Sequence, residues 1–196
     1  PPQAQRLRFR IGRYDEARFL SNLEWMTAWV RALRRAGAPL SYSQGFHAHP
    51  KVTFSSAPPV GEASDGEYLD AILRTEIDPA ELLARLRGTL PPGMAAFEVT
   101  EVPLKTPSLM SSVLGFSYSI HTQGEFKQIQ ADTRQLLDQT QIVVDRATKS
   151  KGRGRKKEVR KMLDIRPAIR SMVVHEDTDG DVIIDFATMA VEGKLA

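Results

Sequence analysis

S-Y-S-Q-G-F-H-A-H-P-K-V-T-F, residues 41–54, is the stretch whose reading decides the fold of the first half. Both ends favour an extended backbone, and Gly45 between them breaks the run where an unusual dihedral is easiest to adopt. The stretch therefore reads as a strand from residue 40, a glycine-centred loop and a second strand over residues 51–54. Upstream, residues 7–11 read L-R-F-R-I, the period-2 alternation of a half-buried strand with Arg8 and Arg10 on its solvent face. Ser21 and Glu24 have the spacing of a capping box, and Leu23, Met26, Val30 and Leu33 then recur at helical spacing. This predicts a helix over residues 22–36, stopped by Gly37. Downstream, Pro58-Pro59-Val60-Gly61 is loop by composition, and residues 67–73 form a further strand candidate. Asp78, Pro79 and Glu81 suit the N-cap, first and third positions of a second helix with Leu82, Leu83 and Leu86 on its apolar face. A strand over residues 94–102 closes the series. The resulting order, β-α-β-β-α-β, is the ferredoxin-like plan.

The second half begins after Lys105-Thr106-Pro107-Ser108, which has the composition of a linker. Strands are expected over residues 116–121, 142–146, 159–165, 172–175 and 182–187, with a helix over 126–139. Thr178-Asp179-Gly180 has hairpin-turn chemistry. The expected architecture is therefore α+β, two ferredoxin-like antiparallel-sheet domains over residues 5–104 and 113–196.

Composition narrows the chemistry. Hydrophobic residues make up 41% and charged residues 26%, the balance of a folded chain. With no cysteine there is no disulfide framework, thiolate zinc site, cysteine-ligated iron–sulfur cluster or cysteine nucleophile. That is compatible with a reducing cytoplasm, the expected location. No apolar run reaches the roughly 20 residues that cross a bilayer, so no membrane partner is expected. The Pro1-Pro2-Gln3 start, without methionine, suggests a segment of a longer fusion.

Charge is unevenly spread. Residues 145–170 hold eleven lysines and arginines against three acids, a local +8 in a chain of net charge +3, so the rest carries −5. Within it, residues 147–161 read as a flexible basic loop, since K-S-K-G-R-G-R-K-K-E has no apolar residue to bury. Lys149, Lys151, Arg153, Arg155, Lys156, Lys157, Arg160 and Lys161, with Arg166 beyond, can neutralise phosphates with little sequence preference; a solubilising loop is the plain alternative. Arg31, Arg34 and Arg35 either complement the helix dipole or add to a polyanion-binding face. Trp25 and Trp29, four residues apart, suit core packing or the docking of a second domain.

His47 and His49 admit several chemistries. On an extended backbone they share a face and suit a metal pair, but zinc wants three or four protein ligands and no recognised spacing supplies them, so no metal is assigned. Either imidazole can act as general acid or base in RNA cleavage, with Lys51 stabilising the phosphorane, which keeps a metal-independent endonuclease open. The histidines can also simply shape a tight turn. A fourth reading has Tyr42, Gln44, Phe46, His47, His49 and Lys51 form a stacking and hydrogen-bonding surface for unpaired bases.

Leu20-Ser21-Asn22-Leu23-Glu24, the R-A-L-R-R-A-G run at residues 31–37, Y-S-Q-G-F-H-A-H-P-K at 42–51, G-E-Y-L-D at 66–70 and D-I-R-P at 164–167 form a specific set. Together they resemble an uncharacterised bacterial family, a domain of unknown function fused to, or encoded beside, radical SAM proteins. Two departures stand out: Ala48, where proline is expected between the histidines, and an end at Ala196 before the family's Gly-Gly and Arg-Pro tail. The resemblance implies a radical SAM protein as partner. An iron–sulfur cluster and S-adenosylmethionine would belong to that partner, because this chain lacks the cysteines. In fold plan the first half is also loosely similar to CRISPR RNA-processing endonucleases, an analogy of fold. The expected function is an RNA-binding module acting with the radical SAM partner in tRNA or rRNA modification or maturation, the alternatives being the endonuclease and a non-catalytic protein–protein adaptor.

Overall fold

The computed structural model describes residues 2–55, 58–149 and 158–190. It is an α+β chain of antiparallel sheets and few helices that divides into two compact units, residues 1–112 and 113–196.

In the first unit, β1 (Gln5–Arg13) leads through a 3-10 turn at Asp15–Phe19 into α1 (Asn22–Arg35). Then come β2 (Val52–Phe54), β3 (Ser64–Leu73), α2 (Pro79–Arg87) and β4 (Met94–Glu101), the element order read from the sequence. The sheet runs β2-β3-β1-β4, every neighbouring pair antiparallel. Alternation puts Leu7, Phe9 and Ile11 of β1 on the same face as Leu69, Ala71 and Leu73 of β3, and all six are fully buried.

The face of α1 that turns inward differs from the expected one. Leu23 is 75% exposed, while Trp25, Trp29, Ala32 and Leu33 are buried. The two indoles pack edge to face at 5.6 Å, and their area outweighs that of the aliphatic stripe one position away. Ser21 and Glu24 form the reciprocal capping box, so Ser21→Ala should lower first-unit stability by about 1 kcal/mol, read from thermal melts. At α2 the forward half of the cap forms, Glu81 N–H donating to Asp78 Oδ1 at 2.8 Å.

The stretch read as a linker is docked onto this unit. Arg6 donates from Nη1 to the carbonyls of Leu104 and Thr106 and from Nη2 to that of Pro107, and a single helical turn, α3 (Leu109–Ser112), buries Leu109.

In the second unit the expected strands and helix form close to where the sequence places them, and the way the strands group into sheets is what the sequence does not foretell. The order is β5 (Ser117–Thr122), α4 (Phe126–Leu137), β6 (Val143–Lys149), β7 (Glu158–Asp164), β8 (Ile169–Glu176) and β9 (Val182–Thr188). One antiparallel sheet runs β5-β9-β8; β6 and β7 pair only with each other, as a separate two-stranded ribbon. Among the described residues of this unit, α4 is the one helix of more than a turn. Of the stretch read as a basic loop, residues 150–157 lie outside the described residues and only its two ends are seen. Residues 147–149 and 158–161 are paired in the ribbon, because apolar and β-branched residues at 143, 144, 148, 159 and 163 sustain a ladder that the lysines and arginines between them do not break. Gly180 turns the β8–β9 hairpin at φ 87°, and Asp177 Oδ1 accepts from the N–H groups of Asp179 and Asp181.

Candidate nucleic-acid interface

Residues 41–51 form a hairpin standing off the sheet edge where β3 ends. Leu40 bridges to Leu73, and Ser41 N–H donates to the Ile72 carbonyl at 2.8 Å. Lys51 N–H returns to the Ser41 carbonyl at 2.8 Å, and Tyr42 bridges to Pro50. One rung further out Ser43 closes the loop twice: its N–H donates to the His49 carbonyl at 2.8 Å, and its Oγ accepts from His49 N–H at 2.9 Å. Five residues, Gln44 to Ala48, remain as the tip, and all are exposed. Gly45 sits at φ 117°, where any side chain would strain the backbone although space around it is open. The residue it presents is Phe46, fully exposed at 106% of its reference area. A fastened loop that holds a bare phenyl ring in water leaves apolar area uncovered that folding ordinarily hides.

Helix α1 reaches this hairpin through Arg34, whose Nε donates to Tyr42 Oη at 3.1 Å with the guanidinium 5.7 Å from the ring centroid. Arg31 is exposed one turn earlier. Arg35 is committed elsewhere, since its Nη2 donates to the Thr89 carbonyl at 2.7 Å. Of the residues singled out in the first half, Tyr42, Gln44, Phe46, His47, His49 and Lys51 thus share one hairpin with Arg34 beside it.

His47 and His49 are exposed, and among the described residues no side chain hydrogen-bonds to either imidazole and no carboxylate pairs with one. No group of three His, Cys, Asp or Glu that could hold a metal occurs among the described residues.

In the second unit Arg160 and Lys161 lie on the ribbon, Arg160 Nη1 reaching Asp145 Oδ2 at 3.2 Å. Arg166 is occupied within the fold, where Nε and Nη2 donate to the carbonyls of Gln139 and Leu137 and close the C-terminal end of α4. Lys149 belongs to β6. Lys151, Arg153, Arg155, Lys156 and Lys157 lie outside the described residues.

Two buried polar groups escape a reading of the sequence. Asp70, 1% exposed, accepts from both Arg6 (Nε, 3.0 Å) and Arg8 (Nε to Oδ1, 2.8 Å) on the sheet face turned away from α1 and α2. The hydrogen bonds to Asp70 raise the Arg8 pKa against the opposing effect of burial. Glu67 lies on the inner face near Trp25, and burial pushes its carboxyl up to about 7, with the Arg13 charge and the Trp25 indole opposing. Glu67 Oε1 and the Nε1 atoms of Trp25 and Trp29 are buried without a hydrogen-bond partner. Arg13 does not close an ion pair with Glu67; it donates instead to the carbonyls of Ala17, Arg18 and Leu20. Sequence pattern could place Glu67 and Asp70 on opposite faces of a strand, but their partners come from β1 and α1 and needed the register.

No described helix is long and apolar enough to cross a membrane. An α+β chain with a fastened aromatic hairpin and a basic ribbon is the class of protein this structure defines. By sequence the chain belongs to a family described as uncharacterised proteins conserved in bacteria (DUF2344), whose profile matches residues 6–194. A comparison with curated proteins returned no match.

Proposed function

We propose that this chain is an RNA-binding module, its first unit a ferredoxin-like domain, that acts with a radical SAM partner on tRNA or rRNA. The observation that carries the reading is the hairpin, whose doubly closed loop and glycine dihedral hold Phe46 fully in solvent beside two histidines and Arg34. Unpaired RNA bases stack on such rings, and cationic neighbours supply the phosphate attraction. The basic tract on the second unit supports the same polyanion. The partner follows from the sequence resemblance together with the absence of cysteine, which leaves any cluster chemistry to another polypeptide.

The test is binding of labelled tRNA and rRNA fragments, followed by fluorescence anisotropy across a salt series. Binding should weaken steeply with salt, and Phe46→Ala should cost about tenfold in affinity, the worth of one base–aromatic stack. Failure of the wild-type chain to bind at low salt would sink the reading. Loss of binding to a radical SAM protein on nuclease treatment would place RNA between the two.

A further inference from the structure

The ribbon register sorts charge by face. Residues 143, 145, 147 and 149 of β6 share one face with 158, 160, 162 and 164 of β7, so Asp145, Glu158 and Asp164 all occupy that face. There Arg160 finds Asp145 at 3.2 Å, and Asp164 Oδ1 accepts from the N–H groups of Ile142 and Arg166. The opposite face holds Val144, Arg146 and Thr148 with Val159, Lys161 and Leu163, and no acid at all.

On that second face Arg146 and Lys161 are directly opposite each other. Cross-strand partners have Cα atoms about 4.5–5.5 Å apart, and like charges in this relation destabilise a sheet. Both side chains are exposed, and neither has an acidic partner among the described residues. The inner rung, Val144 and Leu163, is half-buried, so the cationic rung is the first one out from the body. A two-stranded ribbon has no third strand to offset the repulsion. The arrangement costs stability in the free protein, and an anion held between the two cations reverses the sign of the interaction.

We infer that Arg146 and Lys161 form a two-cation seat for a backbone phosphate of the bound RNA. This rests on the RNA reading above and adds Arg146, which the sequence reading does not assign. Lysine and arginine splayed from opposite strands can each donate to one phosphodiester, and the acid-free face leaves its charge unopposed. On the other face Arg160 is paired with Asp145, and the acids there oppose an anion.

The experiment uses the full chain and a fluorescein-labelled tRNA transcript, with affinity measured over a salt series. Lys161→Glu supplies Arg146 with a cross-strand acid. Amide exchange of residues 143–149 should slow, while RNA affinity falls about tenfold or more and the slope of log K against log salt drops by about one. Lys161→Arg should retain both affinity and slope. Arg146→Ala should cost less in a Lys161→Ala background than alone, because the two share one phosphate. If Lys161→Glu leaves affinity and slope unchanged while Phe46→Ala still weakens binding, the seat is wrong and the RNA reading stands. If the wild-type chain does not bind, both fall. If Lys161→Glu abolishes the slowing of ribbon amide exchange by inorganic phosphate but leaves RNA affinity unchanged, the pair is a free-phosphate site and the inference is overturned.

Discussion

Asp70→Ala will lower the stability of the first unit by about 3–5 kcal/mol, the largest effect expected of any single substitution discussed. The carboxylate is 1% exposed and is held by two guanidinium groups, Arg6 at 2.5 Å and Arg8 at 2.8 Å. Removing it leaves Arg6, itself 7% exposed, as a buried cation whose remaining acceptors are the carbonyls of Leu104, Thr106 and Pro107. Desolvation of that charge is then uncompensated, which is why breaking a buried pair costs far more than the pair contributes. Asp70→Asn should recover only part of the loss, since the amide keeps one acceptor and sets an NH2 against the guanidinium groups. The chain has two tryptophans, both in α1, so denaturant melts followed by tryptophan fluorescence report on the first unit alone. A midpoint shift worth less than about 1 kcal/mol would show that Arg6 and Arg8 find water when Asp70 is gone.

Much of the first unit is legible because its signals are local. Alternation marks β1, the Ser21 and Glu24 spacing marks the start of α1, and Asp78-Pro79 marks α2. The inward face of α1 is misjudged from sequence because two stripes one residue apart compete, and only packing against β1 and β3 decides between aliphatic and indole. The hairpin at residues 41–51 is legible as extended–glycine–extended, but its closure depends on Ser43 meeting His49 across the loop, and no periodicity reports that contact. The two strands of the ribbon are legible as strands, but their full length and their pairing with each other alone are not. Lysine and arginine lower the apparent hydrophobicity of strands whose alternate positions are still valine, threonine and leucine, and charge segregation by face emerges only once residue 146 is known to face residue 161. Asp70 and Glu67 carry buried polar roles set by partners 62 and 64 residues away for the first, and by α1 for the second.

Glu67 makes the stability of the first unit fall as pH rises from about 4.5 to 7. Its carboxyl, 7% exposed on the inner face of β3, is pushed by burial from an ordinary value of 4.5 up to about 7. Between those values the folded chain holds a proton that the unfolded chain has released, so the native state binds more protons and each added pH unit favours unfolding. The contribution is complete below pH 4.5 and is lost as pH passes through about 7, amounting to about 3 kcal/mol over the whole range. The cause lies in what surrounds it: Oε1 has no hydrogen-bond partner, Trp25 offers an indole without closing a bond, and Arg13 spends its donors on the carbonyls of Ala17, Arg18 and Leu20. An ionised carboxylate there would be desolvated, with the Arg13 charge and the Trp25 indole too weak to offset the penalty. Glu67→Gln keeps the shape and abolishes the titration. Denaturant melts of the wild-type chain at pH 5, 6, 7 and 8 should show a declining first-unit stability, and the variant should remove that part of the decline. Because Trp25 lies against the same carboxyl, its fluorescence in the native state should titrate with a midpoint near 7 in the wild-type chain and stay flat in Glu67→Gln. Parallel pH profiles for the two proteins would mean that Glu67 stays ionised throughout, with Arg13 turned from its carbonyls to pair with it.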